Sequence, residues 1–220
     1  VTRWATFDCY GTIVDWNAGI RAGLARLLPR EDPDALLVRY HELEPEVEAE
    51  TYRTYADVLA TTATRIASER GIDLSAGAAE GLPRSLPDWP VFADAPAALE
   101  DARARGWRLC ILSNTDRALL DASMRAIGVP FDHSIVAEEV RSYKPAHAHW
   151  ERFYDDTGAS PERHVHVAQS RFHDIAVANE LGLPSIWVNR LGEGDDGPRP
   201  TRELPTLTGL GAVLDELVGP

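Results

Sequence analysis

Four short groups of residues in this sequence carry side chains suited to nucleophilic hydrolysis. They are Asp8 to Thr12, Ser113-Asn114, the region of Lys144, and Gln169 to Asp174. A carboxylate held at the tip of a strand, beside a lysine and hydroxyl donors, can form a covalent ester that is hydrolysed afterwards. Asp8 is the candidate for that carboxylate; the competing role for an Asp at such a place is to cap the turn that follows it. Ser113-Asn114-Thr115-Asp116 also has the composition of a helix N-cap, a role compatible with chemistry at the same residues.

These groups meet only if the elements before them are parallel strands. Trp4 to Tyr10, Trp107 to Leu112, Ser134 to Ala137, His164 to Ala168 and Pro184 to Val188 are short apolar runs bounded by Gly, Pro, Asn or Asp. Helix-like stretches lie between them, at Pro96 to Arg105, Arg117 to Ile127, Ala146 to Thr157 and Phe172 to Leu181. That alternation implies βαβ units, and strands that are apolar throughout imply a sheet covered on both faces. The expected fold is therefore α/β, a Rossmann-like parallel sheet with helices on both faces. Ligands of such sheets bind outside the carboxyl ends of the strands, where all four groups fall.

From Asn17 to about Leu86 no strand is expected. Leu36, Leu37, Tyr40 and Leu43 space as one helix face, as do Tyr55, Val58, Leu59 and Thr62. Leu86-Pro87-Asp88-Trp89-Pro90 then resets the chain. The expected organisation is an α/β core of residues 1–16 and 87–220 with an all-helical cap of residues 17–86. Gly192 to Pro200 should be a polar loop before a last helix from Leu207 to Leu217.

A net charge of -13 disfavours nucleic acid or an anionic membrane as partner, since both reward a basic face. An anionic small substrate would need cations placed locally. No apolar run approaches the roughly 18–20 residues of a membrane span. Val1-Thr2-Arg3-Trp4 runs straight into a strand with no visible signal peptide. Cys9 and Cys110 sit in apolar runs and read as buried free thiols. Together these favour a cytoplasmic location. Two His-x-His pairs, His147 with His149 and His164 with His166, lack a third ligand at sensible spacing for zinc.

Phe7-Asp8-Cys9-Tyr10-Gly11-Thr12, Leu112-Ser113-Asn114, Ser142-Tyr143-Lys144-Pro145 and the Asp174 segment, in that order, resemble the four motifs of the haloacid dehalogenase superfamily. The resemblance spans essentially the whole chain, including the helical insertion. It implies that Asp8 is the nucleophile, that Thr12 and Ser113 orient its carboxylate, and that Asn114 contacts a leaving halide or the substrate carboxylate. It further implies that Lys144 neutralises Asp8 and the substrate anion, and that Asp174 pairs with Lys144 and steers the hydrolytic water. Phosphatases of this superfamily carry an acid/base Asp two residues after the nucleophile. Tyr10 stands there instead, and a phenol of pKa about 10 is a poor substitute near neutral pH. Dehalogenases carry Tyr at this place, because a departing halide needs no proton.

An arginine of the dehalogenase cap helix reaches the site, and alignment places Arg39 there, with Arg171 in reserve; the ordinary role of such an arginine is a solvated ion pair. Gln169, Arg171 and His173 depart from the pattern of 2-haloacid dehalogenases and look closer to a sub-branch that includes azetidine-2-carboxylate hydrolase. There His173 could protonate a nitrogen leaving group, or it could simply hydrogen-bond Asp174. The resemblance therefore implies dehalogenation of a small (S)-2-haloacid through an Asp8 ester, with no cofactor and no metal, a small carboxylate as partner, and a homodimer as a possible assembly. The rivals are C–N opening of another 2-substituted carboxylate, a phosphatase, and a non-catalytic member.

Overall fold

The computed structural model describes residues 2–194 and 196–219. Strands β1 (Arg3–Phe7), β2 (Trp107–Ser113), β3 (His133–Val136), β4 (His164–Ala168), β5 (Ser185–Val188) and β6 (Arg202–Leu204) form one parallel sheet in the order β3-β2-β1-β4-β5-β6. Both faces are covered: Ala5, Phe7, Leu109, Ile111, Val165, Val167, Ile186 and Val188 are buried on one, and Trp4, Cys110, Leu112 and Ile135 on the other. Each large side chain among them contributes about 1.5–3 kcal/mol of burial. The chain builds outward from β1 through β2 to β3, then returns to lay β4, β5 and β6 on the other side. That reversal opens a crevice at the carboxyl end of β1. Asp8 stands at its mouth, still in the ladder through its N–H to the Val167 carbonyl at 3.1 Å.

Helices α1 (Trp16–Leu27), α2 (Pro33–Ala49), α3 (Tyr55–Glu69), α4 (Ala76–Ala79) and α5 (Gly81–Ser85) follow β1 with no strand among them, as the sequence predicts. Asp15, Asp32 and Thr54 cap the first three by accepting from the backbone N–H of Ala18, Asp34 and Asp57. Leu36, Tyr40, Leu43 and Val47 of α2 bury one stripe, and Tyr55, Val58, Leu59, Thr62 and Ile66 of α3 bury another. Gly19 lets α1 lie on Trp89, since a Cβ there would stand 2.2 Å from the indole.

The remaining helices are α6 (Ala95–Ala104), α7 (Arg117–Ile127), α8 (Ala137–Val140), α9 (Ala148–Thr157), α10 (Ala176–Glu180) and α11 (Leu210–Leu217). One π-helical turn, Arg171–Ile175, leads into α10 and carries Asp174. The expected polar loop at 192–200 includes residue 195, which lies outside the described residues. Strand β6 was not foreseen: it is three residues of Arg-Glu-Leu at the sheet edge, where charge protects against further pairing and hides the strand pattern. Cys9 and Cys110 are buried free thiols. Among the described residues no helix is long and apolar enough to cross a membrane.

Candidate active site

Lys144 organises the crevice. Its Nζ donates to Asp8 Oδ1 at 3.0 Å, to Asp174 Oδ1 at 2.7 Å and to the Leu112 carbonyl at 2.9 Å. All three N–H bonds of the ammonium are thereby used. All three side chains are buried, a placement tolerable for charge only because each is paired. Burial alone would raise both carboxyls. For Asp174, the Lys144 ammonium and a hydrogen bond from His166 override burial and hold it well below the usual carboxylate range. Asp8 is pushed upward instead, by burial above all and by the neighbouring Asp174, against the pull of Lys144 and Thr12. Burial lowers the lysine and its two carboxylates more than compensate, so Lys144 stays protonated.

The hydroxyl and amide donors divide. Thr12 Oγ1 donates to Asp8 Oδ2 at 2.8 Å and accepts the Gln169 N–H at 2.9 Å. Gly11, at φ +90°, makes the tight turn between them and leaves room for the Gln169 amide. Ser113 lines the crevice, its Oγ buried and with no hydrogen-bond partner among the described residues, rather than bonding Asp8. Asn114 accepts the Lys144 N–H at 2.7 Å and donates to the Lys144 carbonyl at 3.1 Å, so its amide fixes the lysine's backbone. Tyr10 lies in the wall, its hydroxyl 3.0 Å from Ser123 Oγ. Burial raises its phenol beyond its ordinary value, which removes it from acid/base work near neutrality.

The expectations for cations are corrected. Arg39 does not reach the crevice; it forms ion pairs with Glu42 and Glu69, each at 2.7 Å. The reason is helical phase. On α2, Leu37, His41, Glu44 and Glu48 face the crevice, and at about 100° per residue Arg39 points roughly 160° away from them. Arg171 also stays outside the lining, its guanidinium stacked 3.6 Å over Trp187. An Arg39→Ala variant is therefore expected to keep turnover within about twofold of wild type, measured as kcat/KM; a hundredfold loss would return Arg39 to the site. Gln169 and His173 do line the crevice. His173 Nδ1 sits 3.0 Å from Ser170 Oγ, and burial lowers its pKa, so a neutral imidazole faces the crevice at neutral pH.

A model described as haloacid dehalogenase-like hydrolase matches residues 2–182. The chain belongs to that family. Haloacetate dehalogenase H-2 of Moraxella sp. (strain B) is 27% identical over 212 residues, covering 93% of this chain and 94% of the relative. The (S)-2-haloacid dehalogenase of Pseudomonas sp. (strain YL) is 26% identical over 220 residues, covering 97% and 94%. A solved L-2-haloacid dehalogenase from Xanthobacter autotrophicus, with chloropropionic acid covalently bound, shares the fold: its TM-score is 0.86 at 17% identity, over 97% of this chain and 98% of that one.

In this hydrolase the crevice opens into a cavity of about 680 Å³ between the sheet edge and helices α1 and α2. Sequence reasoning missed several of its side chains. Arg190 follows β5 at the same sheet edge; it donates to the Thr12 carbonyl and pairs with Asp94. Inspecting the residue after every strand, β5 included, would have found it. Glu44 and Glu48 come from the α2 stripe one residue beyond its apolar face. Glu44 accepts from Tyr40 and Tyr55 at 2.9 and 3.0 Å. Burial raises Glu44 to about 7 and, with Glu44 adding repulsion, Glu48 to about 9. The cavity cations, Arg21, Lys144 and Arg190, are each paired with Asp. Among the described residues no group of three or more His, Cys, Asp or Glu is arranged to hold a metal ion.

Proposed function

We propose that this enzyme hydrolyses a small (S)-2-haloacid to the 2-hydroxyacid through an ester on Asp8. The observation that carries the reading is the pair of buried carboxylates bridged by Lys144, with Tyr10 where phosphoryl chemistry would need an acid. Asp8 attacks the α-carbon from behind; the carbon–halogen bond breaks, halide leaves with the bonding pair, and the centre inverts. Water then attacks the Asp8 carbonyl carbon and passes a proton to Asp174; the acyl C–O bond breaks, the departing alkoxide takes that proton back to leave as the hydroxyacid, and the Asp8 carboxyl loses its remaining proton to solvent. Thr12 and Lys144 hold Asp8 for both steps. Residues 17–86 act as a cap, contributing Leu37, Glu44 and Tyr55 to the wall and keeping bulk water from the ester. The dehalogenases among the similar proteins support this reading. Halide release from (S)-2-chloropropionate, undiminished by EDTA, is the expected result; release only of phosphate from p-nitrophenyl phosphate, abolished by EDTA, would overturn it.

A second reading has a specific observation in its favour. The wall offers Glu44 and Glu48 and no unpaired cation among its described residues, which suits a substrate carrying nitrogen, such as azetidine-2-carboxylate, better than one that is purely anionic. Hydrolysis of that ring without halide release from any 2-halo acid would decide for it. The same pair has a consequence for stability. An acid whose pKa is raised on folding stabilises the fold at low pH, and that contribution is lost as pH rises through the folded value. From about pH 4.5, where unfolded Glu48 ionises, to about 9, where the folded one does, wild type pays increasingly for this residue. Glu48→Gln should therefore have the higher melting temperature, by a margin that widens from pH 5 to pH 9; a constant margin would contradict it.

A further inference from the structure

We infer that His166 is a positioning residue for Asp174: its Nε2–H holds Oδ1 of that carboxylate and leaves Oδ2 to receive the proton of the hydrolytic water. The inference rests on the ester reading above. His166 lies on β4, fully buried, with Nε2 2.9 Å from Asp174 Oδ1. Behind it runs a buried chain. His166 Nδ1 is 2.7 Å from Thr6 Oγ1, which is 2.6 Å from His164 Nε2, and His164 Nδ1 is 2.7 Å from the Tyr154 hydroxyl. Parallel register builds it: Thr6 of β1 stands opposite His166 of β4, and period-two alternation puts His164 and His166 on one face.

The protons can be assigned. A carboxylate only accepts, so Nε2 of His166 carries hydrogen; the other neutral tautomer would set a bare lone pair against a carboxylate oxygen. Thr6 has one hydroxyl proton. It either donates to His166 Nδ1 while accepting from His164, or donates to His164 while accepting from a doubly protonated His166. Both arrangements aim the same N–H at Asp174. The ring is further fixed edge-on against Trp150, with centroids 5.2 Å apart. Asp174 Oδ1 then has two donors, Lys144 and His166, whereas Oδ2 is buried with no partner among the described residues although Asp174 lines the cavity. Lys144 alone would not fix this orientation, because the same ammonium also serves Asp8 and the Leu112 carbonyl. Asp174 is thus held through Oδ1, and its second oxygen is the one left to take a proton.

The test has two arms. In the ligand-free enzyme, imidazole nitrogen NMR should show His166 protonated at Nε2; a neutral Nδ1–H tautomer would overturn the inference. In rapid-quench single turnovers on the substrate that wild type hydrolyses, His166→Leu and Thr6→Val should form the Asp8 ester at nearly the wild-type rate. They should break it down about ten- to hundredfold more slowly, the range for a lost hydrogen bond to a charged group. Thr6→Ser, which keeps the hydroxyl, should restore breakdown. Equal slowing of both steps, or a Thr6→Ser variant as slow as Thr6→Val, would show a merely structural role. Absence of any ester in wild type would sink the ester reading itself, and this role with it.

Discussion

Asp8→Asn is expected to abolish turnover, by on the order of 10⁴-fold or more, in a protein that remains folded. The magnitude follows from what an amide cannot do: its oxygen is a far weaker nucleophile than a carboxylate, and Asp174, the other carboxylate on Lys144, is tied to Lys144 and His166. Stability should move the other way. The folded state raises the Asp8 pKa, so the stabilisation this residue provides belongs to its protonated form and is lost as pH rises through the folded value. An amide keeps the neutral form at every pH and still accepts the Lys144 hydrogen bond. The variant should thus melt at or above the wild-type temperature at pH 7. Halide release and a thermal scan on the same sample check both halves. A variant that is inactive only because it is unfolded would count against the assignment.

Lys144→Met should be the most damaging single substitution to stability. It leaves Asp8 and Asp174 buried together without their counter-charge, and breaking a buried pair from one side costs about 3–5 kcal/mol. The pH dependence gives the prediction its sign. In wild type, Asp174 has a depressed pKa, so its contribution is present above the unfolded value near 3.9 and is lost as pH falls through the folded value. In the variant the chief cause of that depression is gone, both carboxyls are raised by burial, and protonation relieves them. Acidification from pH 7 to pH 4.5 should therefore narrow the gap between variant and wild type in urea denaturation. A gap that stays constant would mean that Lys144 matters for its packing rather than for its charge.

Much of this arrangement was legible because the chemistry follows the strands. Asp8, Ser113 and Gln169 each come directly after or end a buried parallel strand, and Lys144 and Asp174 stand in motifs that resemble a known order. What the sequence concealed depended on phase and on partners. Arg39 was assigned by alignment along the chain, but the side of α2 that it occupies is set by where Leu36, Tyr40, Leu43 and Val47 bury, and that turns Glu44 and Glu48 to the cavity in its place. The resemblance implies that Asn114 contacts a leaving halide or the substrate carboxylate; only the fold brings the Lys144 backbone to its amide. His164 and His166 read in the sequence as a His-x-His pair without a third zinc ligand. Their partner, Thr6, lies on a strand 158 residues from one of them and 160 from the other, a distance no local pattern bridges. Ser113 and Tyr10 fall between: both reach the wall, yet neither bonds Asp8.

The central claim, an ester between Asp8 and the substrate carbon, is tested most directly by a single turnover in ¹⁸O-labelled water with enzyme in excess. The account predicts that the label enters the Asp8 carboxylate, recovered in the peptide that contains it, and that the first hydroxyacid released is unlabelled. Label appearing in that first product, with Asp8 unlabelled, would mean that water attacks the substrate directly and would contradict the account.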